Sequence, residues 1–344
     1  MANSALVSVV PPLFERILSI FPRQYIRFCF AYGSGVFRQG GVSMGKPMID
    51  LIFCVNNSVG FHKENIATNP SHYSALKHLG PYCISFIQEK LPANVYFNTL
   101  VPLKEVDVVI KYGVVLESDL INDLLDWNSL YLSGRMHKPI KILEKPGDEL
   151  DMPLRQNLFS ALHTAFLLLP EVFSERELYH TIADFSYRGD FRMRFGEDKN
   201  KINNILDKQL LKFRKLYKPY LKTLTDYVDL PAEDEVDKPM MQDMSTATRI
   251  YHLFQLPTLP QKELVKYWRA HGGRRRGDAE DVLQDLAVTT KLSKMLEHCL
   301  SKIVLKSSIQ QSLKGILTAG IFKSIQYSNK KIDKMKKSRV QAQT

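Results

Sequence analysis

No uncharged apolar stretch in this chain approaches the ~20 residues of a membrane-spanning helix. Cysteine is scarce. Cys29, Cys54, Cys83 and Cys299 are the only four, and none forms a Cys-x-x-Cys pair. Three of them lie in apolar surroundings, which suits buried reduced thiols better than a zinc site or a disulfide framework. That usage favours a reducing compartment. No acid precedes Glu15, whereas Arg16, Arg23 and Arg27 follow closely. These are weak mitochondrial targeting cues, interrupted by Pro11 and Pro12. The sequence shows no internal repeat and no low-complexity tract.

What is present is enough for a folded protein of two or three domains: 344 residues, 44% of them hydrophobic. The net charge is +11, which suggests an acidic partner. Its distribution matters more. Residues 291–344 carry twelve Lys and Arg against Glu297 and Asp333, a net of +10, which leaves +1 for the first 290 residues. A nucleic-acid enzyme would more often spread positive charge along a substrate groove.

The stretches YIRFCFAYG, MIDLIFCV, NVYFNTLV and VDVVIKYGVV read as strands, with a broken helical region around Gly80-Pro81 between the second and third. The first ~120 residues are therefore mixed α/β. After Asp119 the spacing turns helical. LRQNLFSALHTAFLLL is a helix stopped by Pro170, and Ser174 with Glu177 forms a capping box before another. Residues 198–224 read as a helix or helix pair, and residues 229–245 as an acidic linker or surface loop. The chain divides on this reading into 1–150, 151–290 and 291–344, and its fold class is α+β.

The first strand ends in FAYGSGVFRQGG. Gly33, Ser34 and Gly35 offer bare backbone N–H groups and a hydroxyl at a sharp turn, which a phosphate can approach closely. No Gly-Lys-Ser/Thr follows, so this is not a P-loop, and the glycine spacing excludes a Rossmann fingerprint. Asp50 strengthens the signal. It sits fifteen residues after Gly35 inside an apolar strand, where a carboxylate costs desolvation unless something compensates it. A Mg²⁺ ion on a triphosphate would do so.

Strand, Gly-Ser turn and Asp-bearing strand together resemble the DNA polymerase β-type nucleotidyltransferases. There a second acid usually follows two residues on, but this chain has Ile52. Asp107 is a candidate for the missing metal ligand. If VDVVIKYG is one strand, Asp107, Val109 and Lys111 share a face. An acid and a lysine on one side suit a metal–phosphate site, although a solvated strand face is the alternative for Asp107.

More specifically, the chain resembles the mitochondrial phosphatidate cytidylyltransferases, the translocator assembly and maintenance family. The matching stretches include YGSGVFRQ, DLIFCVNN, FHKENIATNPSHYS, VYFNTLVP, LLDWNSLYLSGRMHKP, FSYRGDFRMRFGEDKNKINNI and LKGILTAGIFKSIQYS. The resemblance implies transfer of CMP from CTP to phosphatidate, giving CDP-diacylglycerol and pyrophosphate for cardiolipin synthesis. It implies Mg²⁺ and a peripheral position on the matrix face of the mitochondrial inner membrane. It also implies a nucleotidyltransferase domain, then a mostly helical, winged-helix-like domain, then a C-terminal membrane-binding segment.

Gly33, Ser34 and Gly35 are accordingly expected at the triphosphate, Asp50 on Mg²⁺ and Lys111 on a phosphate. The resemblance also suggests that His62 and Asn65 border the nucleotide; the alternative is a capped turn with satisfied histidines. Arg192 and Lys199 are candidates for the lipid phosphate, within a run that also reads as a solvated mixed-charge surface.

In the tail, Leu305, Ile309, Leu313, Ile316, Leu317, Ile321 and Ile325 recur at helical steps with Lys302, Lys306, Lys314 and Lys323 alongside. Residues 302–328 are thus expected to lie on an anionic membrane surface. No nucleic-acid partner is expected. Two other readings stay open. A nucleic-acid nucleotidyltransferase would use the same chemistry, and a non-catalytic assembly factor on the same fold would accommodate Ile52.

Overall fold

The structure is a computed structural model that describes residues 11–33, 36, 48–195, 200–232, 238–272 and 277–320. It is α+β and forms two compact units. The first draws on the described residues within Met1–Glu117, Ile140–Gly147 and Gly315–Tyr327, the second on those within Ser118–Pro139, Asp148–Lys314 and Ser328–Thr344. The division therefore falls near residue 117 rather than 150, and the chain returns to the first unit for one more strand. The reason is strand pairing, which no local pattern announces.

The first unit holds a five-stranded sheet. Its strands are β1 (Ile26–Tyr32), β2 (Ile49–Val55), β3 (Val95–Leu103), β4 (Val108–Leu116) and β5 (Lys141–Glu144), in the spatial order β3-β4-β2-β1-β5. Four match the expected strands, and β5 is the addition. Only β2 and β4 run parallel; the other pairs are antiparallel. Successive strand residues point to opposite faces. Ile49, Leu51, Phe53 and Val55 of β2 join Phe14, Ile17 and Leu18 of helix α1 (Pro12–Leu18) and Phe61 of α2 (Ser58–Thr68) in one apolar core. Asp50, Ile52 and Cys54 occupy the other face. Helix α3 (Gly80–Lys90) begins at the expected Gly80-Pro81 break, where Gly80 takes φ +83°.

The second unit is mostly helical. It contains α4 (Glu117–Asp126), α5 (Ser133–Met136), α6 (Asp148–Phe166), α7 (Glu175–Asp184), α8 (Arg192–Phe195), α9 (Lys201–Leu221), α10 (Thr246–Phe254), α11 (Thr258–Ala270) and α12 (Ala279–Val288). The capping box at α7 is present: the Glu177 N–H donates to Ser174 Oγ at 3.2 Å and the Ser174 N–H to Glu177 Oε2 at 2.7 Å. A small sheet orders β6 (Val172–Phe173), β8 (Met240–Gln242) and β7 (Val228–Asp229).

Strand β8 lies within the stretch expected as a linker. Met240 and Gln242 are buried, and the Gln242 amide donates to the carbonyls of Phe166, Leu169 and Pro170. A short strand closing on a helix end has too little sequence to show its period.

Helix α13 (Leu292–Ala319) corrects the expected boundary at 291. Leu292, Met295, Leu296, Cys299, Leu300, Ile303 and Val304 belong to the core of the second unit. From there the pattern changes. Leu305, Ile309, Leu313, Ile316 and Leu317 are exposed, while Ser307, Ser308, Gln311, Lys314 and Thr318 are buried. Lys314 therefore does not accompany the exposed stripe, and Lys302 pairs with Glu263 at 2.8 Å. Ile321, Lys323 and Ile325 lie outside the described residues. Among the described residues no helix is long and apolar enough to cross a membrane. The cysteines are free thiols, and Cys29, Cys54 and Cys299 are buried.

Candidate active site

Three of the expected residues meet at one end of the sheet in the first unit. The end of β1 lies beside the start of β2, with Tyr32 opposite Asp50. The start of β4 lies on the other side, with Lys111 opposite Asp50 in parallel register. Asp50 is thus flanked on the same sheet face by an aromatic ring and an ammonium.

Gly33, the next residue after β1, has φ +81°, a conformation that side chains disfavour. A Cβ at that position would lie 3.2 Å from Asp50 Oδ2. Glycine here leaves the carboxylate open from the turn side. The turn is closed by the Val36 N–H donating to the Gly33 carbonyl at 3.2 Å. Ser34 and Gly35 lie outside the described residues.

Lys111 is steadied by the Phe97 ring, whose centroid is 4.6 Å from Nζ. Gly113 lets this face close up, because a Cβ there would meet Phe97, Ile52 and Val95 within 2.9 Å. Ile52, at the position of the missing second acid, is fully buried.

Asp107 is not on the strand. It has φ +53° in the turn between β3 and β4, and it is exposed. It precedes Lys111 by four residues, about 13 Å along an extended chain, so it does not stand level with Asp50. The expected Asp107–Val109–Lys111 face fails because β4 begins only at Val108.

Among the described residues no group of three or more His, Cys, Asp or Glu side chains could hold a metal by itself. One carboxylate beside an open turn nevertheless fits Mg²⁺, which commonly takes one or two carboxylates and completes its shell from substrate phosphates and water.

His62 and Asn65 are placed elsewhere. Both are fully buried on α2 and share the Tyr73 hydroxyl, and Asn65 also reaches the hydroxyl of Tyr112, which lies on the β4 face opposite Lys111. Asn65 Nδ2 donates to the hydroxyls of Tyr73 and Tyr112, each at 2.9 Å. His62 Nε2 lies 2.8 Å from Gln88 Oε1 and its Nδ1 2.8 Å from the Tyr73 hydroxyl. Nε2 must donate to the amide oxygen, so Nδ1 accepts from Tyr73 and the ring is neutral. Burial lowers its pKa to about 4. The capped-turn alternative describes these two residues better than a nucleotide border does.

Arg192 belongs to the second unit and is held by Asp190, its Nε donating to Oδ1 at 2.9 Å and to Oδ2 at 3.1 Å. Lys199 lies outside the described residues. Arg135 and Lys138 were not singled out from the sequence, although they stand in the quoted LLDWNSLYLSGRMHKP stretch. Two cations on and just after the four-residue α5 give no periodic signal.

A sequence profile described as mitochondrial phosphatidate cytidylyltransferase matches residues 14–334. The chain belongs to the mitochondrial phosphatidate cytidylyltransferase family. Proteins of that name are 44% identical to it in Drosophila melanogaster and 46% identical in Xenopus laevis. These alignments cover 94% of this chain and 98% and 95% of the respective relatives. The Caenorhabditis elegans protein of the same name is 37% identical, over 95% of this chain and 99% of its own length. In this phosphatidate cytidylyltransferase family member, the matched span contains Gly33, Asp50 and Lys111 of the first unit as well as Arg192 of the second.

Proposed function

We propose that this chain transfers CMP from CTP to phosphatidate, giving CDP-diacylglycerol and pyrophosphate, in the service of mitochondrial cardiolipin synthesis. The observation that carries the reading is the cross-strand pair of Asp50 and Lys111 beside the left-handed Gly33, in a chain that matches the family from end to end of both units.

A phosphate oxygen of phosphatidate attacks the α-phosphorus of CTP. The bond from that phosphorus to the α–β bridging oxygen breaks, and pyrophosphate leaves with the electron pair. The attacking oxygen is already ionised at neutral pH, so no side chain has to remove a proton. The protein's task is to align two anions that repel each other. Lys111 neutralises phosphate charge, and the open backbone at Gly33 lets the triphosphate approach closely. Asp50 would hold Mg²⁺, which would offset charge on the triphosphate and on the departing pyrophosphate.

On this reading the first unit is the DNA polymerase β-type nucleotidyltransferase domain and the second the winged-helix-like domain. The small sheet and helices of the second unit are compatible with that description. Peripheral attachment to the matrix face of the inner membrane is supported by the apolar stripe of Leu305, Ile309, Leu313, Ile316 and Leu317. A stripe of this kind inserts shallowly, and nearby basic residues favour an anionic surface.

The test is to incubate purified protein with each labelled triphosphate, Mg²⁺ and either phosphatidate vesicles or RNA. Label from CTP should enter lipid. Label entering RNA, or entering neither acceptor, would overturn the reading.

A further inference from the structure

Helix α3 of the first unit meets both protein and solvent with apolar side chains. On its inner side Ile84 and Ile87 are buried against Tyr73 and Tyr96. Tyr96 stands opposite Val114 of β4, so this is the sheet face away from Lys111. On the outer side Tyr82 and Phe86 are one helical turn apart, 78% and 61% exposed, and Leu79 just before the helix is 64% exposed. A surface helix ordinarily turns its apolar stripe inward and gives polar groups to water. Single exposed apolar residues are common, but three neighbours, two of them aromatic, mark a contact surface.

The charge around this surface is one-sided. From Asn65 to Gln88 the chain has no Asp or Glu. The acids at either end, Glu64 and Glu89, accept hydrogen bonds from the Tyr25 hydroxyl at 2.9 Å and from the Ser58 hydroxyl respectively. Lys77 comes two residues before Leu79, and the exposed Lys90 four residues after Phe86. Lys77 donates to the Pro70 carbonyl at 3.0 Å, a partner that does not offset its charge. An apolar patch with cations at its ends and no acid within it complements an anionic surface.

The end of α13 comes to the same place. Its residues from Gly315 onward belong to the first unit. A Cβ at Gly320 would lie 3.9 Å from Ser74 Cβ. Ser74 caps the 3₁₀ turn Ala75–Leu79, a run of about 10 Å that ends at Leu79. Ile316 and Leu317, both exposed, precede Gly320 by four and three residues. One shallow apolar element holds a protein to a bilayer only marginally, and stable attachment takes two.

We propose that the outer face of α3 is a second membrane contact, with Leu79, Tyr82 and Phe86 seated at the headgroup level of an anionic bilayer beside the end of α13. An aromatic ring with a polar tip suits that depth. A second copy of the chain fits the face less well. Three large side chains at these exposures offer about 400 Å², where a stable interface takes about 800 Å² from each partner. Symmetric pairing would also bring two basic, acid-free patches together. The proposal rests on the peripheral attachment read from α13 only for the bilayer as occupant. It leaves the sheet face of Asp50 and Lys111 uncovered, because α3 packs on the other one.

The test uses the full chain and vesicles of phosphatidylcholine with phosphatidylglycerol. Tyr82→Trp keeps the aromatic character and adds a reporter. Its fluorescence beyond that of the wild type should shift to the blue on vesicle binding and be quenched by lipid brominated on its acyl chains. Tyr82→Ser combined with Phe86→Ser should reduce co-sedimentation severalfold and weaken turnover of vesicle-presented phosphatidate. The same pair should leave the melting temperature and the turnover of soluble dihexanoyl phosphatidate unchanged. Quenching of vesicle-bound Tyr82→Trp no greater than that of the wild type, or full co-sedimentation of the serine pair, overturns the contact. A dimer seen by sedimentation velocity without lipid, and lost in the serine pair, assigns the face to a second copy and overturns it as well. Quenching in a protein that shows no CMP transfer leaves the α3 contact standing and removes the proposed reaction.

Discussion

Asp50 and Lys111 are register partners on the only parallel strand pair of the five-stranded sheet, each near the start of its strand. A carboxylate and an ammonium side by side can neutralise each other, but here the carboxylate is also approached by the left-handed Gly33 from β1. On the proposed function this arrangement would give a triphosphate a cation on one side and a carboxylate for Mg²⁺ on the other.

Replacing Asp50 by Asn keeps its shape and removes the charge that would hold Mg²⁺. Asp50→Asn should remove most CMP transfer and leave the melting temperature nearly unchanged. A variant that keeps a substantial fraction of wild-type turnover would show that Asp50 is not a metal ligand.

If Lys111 meets a CTP phosphate as proposed, Lys111→Ala loses a charge-assisted contact of about 1.5–3 kcal/mol and should lower kcat/KM for CTP at least tenfold. Steady-state kinetics at varied CTP decides it. Wild-type kinetics would make Lys111 a partner of the Phe97 ring and nothing more.

Asn65→Leu provides the contrast. Its amide serves Tyr73 and Tyr112 in the buried network of the first unit. Both hydroxyls keep a histidine partner, Tyr73 with His62 and Tyr112 with His72, so the loss should cost about 1–3 kcal/mol in all in folding stability. The fraction that remains folded should keep the wild-type KM for CTP. A raised KM in well-folded protein would restore Asn65 to the nucleotide site.

Buried histidines should make the protein acid-sensitive well above the carboxylate range. Burial lowers the pKa of His62 and His252 to about 4 and that of His137 and His163 to about 3. In the unfolded chain an imidazole takes a proton near pH 6.5. Between those values the unfolded state binds more protons. Stability should therefore be complete above pH 6.5 and fall as pH drops toward 4, by up to about 1.4 kcal/mol per pH unit for each histidine. Urea unfolding at pH 7, 6 and 5 would measure the slope, and His62→Gln should flatten it. Constant stability across that range would contradict the neutral, buried assignment.

The exposed stripe of α13 can be tested without touching the core. Truncation after Leu300 would remove Ile303 and Val304, which are core residues, so a charge on the stripe is the cleaner change. Ile309→Asp with Leu313→Asp should leave the melting temperature within a degree or two. The pair should reduce co-sedimentation with anionic vesicles severalfold and weaken turnover of vesicle-presented phosphatidate. Raised salt should loosen the wild type as well, since the Debye length shrinks from ~10 Å at 0.1 M to ~3 Å at 1 M. Unchanged sedimentation of the double variant would place the membrane contact elsewhere.

The sequence by itself determined the elements whose signals are local. Runs of apolar, branched and aromatic residues marked four of the five strands, two of them ended by Gly33 and Asn56, and Ser174 with Glu177 marked the start of α7. Gly33 and Asp50 could be found because a missing side chain at a strand end and a charge inside an apolar run are each local anomalies. Only the tertiary structure decided what depends on pairing and register. It set Lys111 beside Asp50, brought Lys141–Glu144 back into the first sheet, and moved Asp107 off the strand into a turn. It turned His62 and Asn65 inward, because period 3.6 states that residues share a helix face but not which surface that face meets. It also gave α13 a core half and an inverted half, since an apolar stripe reads the same whether it faces protein or solvent. Trp127 and Leu130 take left-handed backbone where Asp123 holds the segment after α4, through hydrogen bonds to Ser129, Leu132 and Ser133 whose spacing in sequence carries no period.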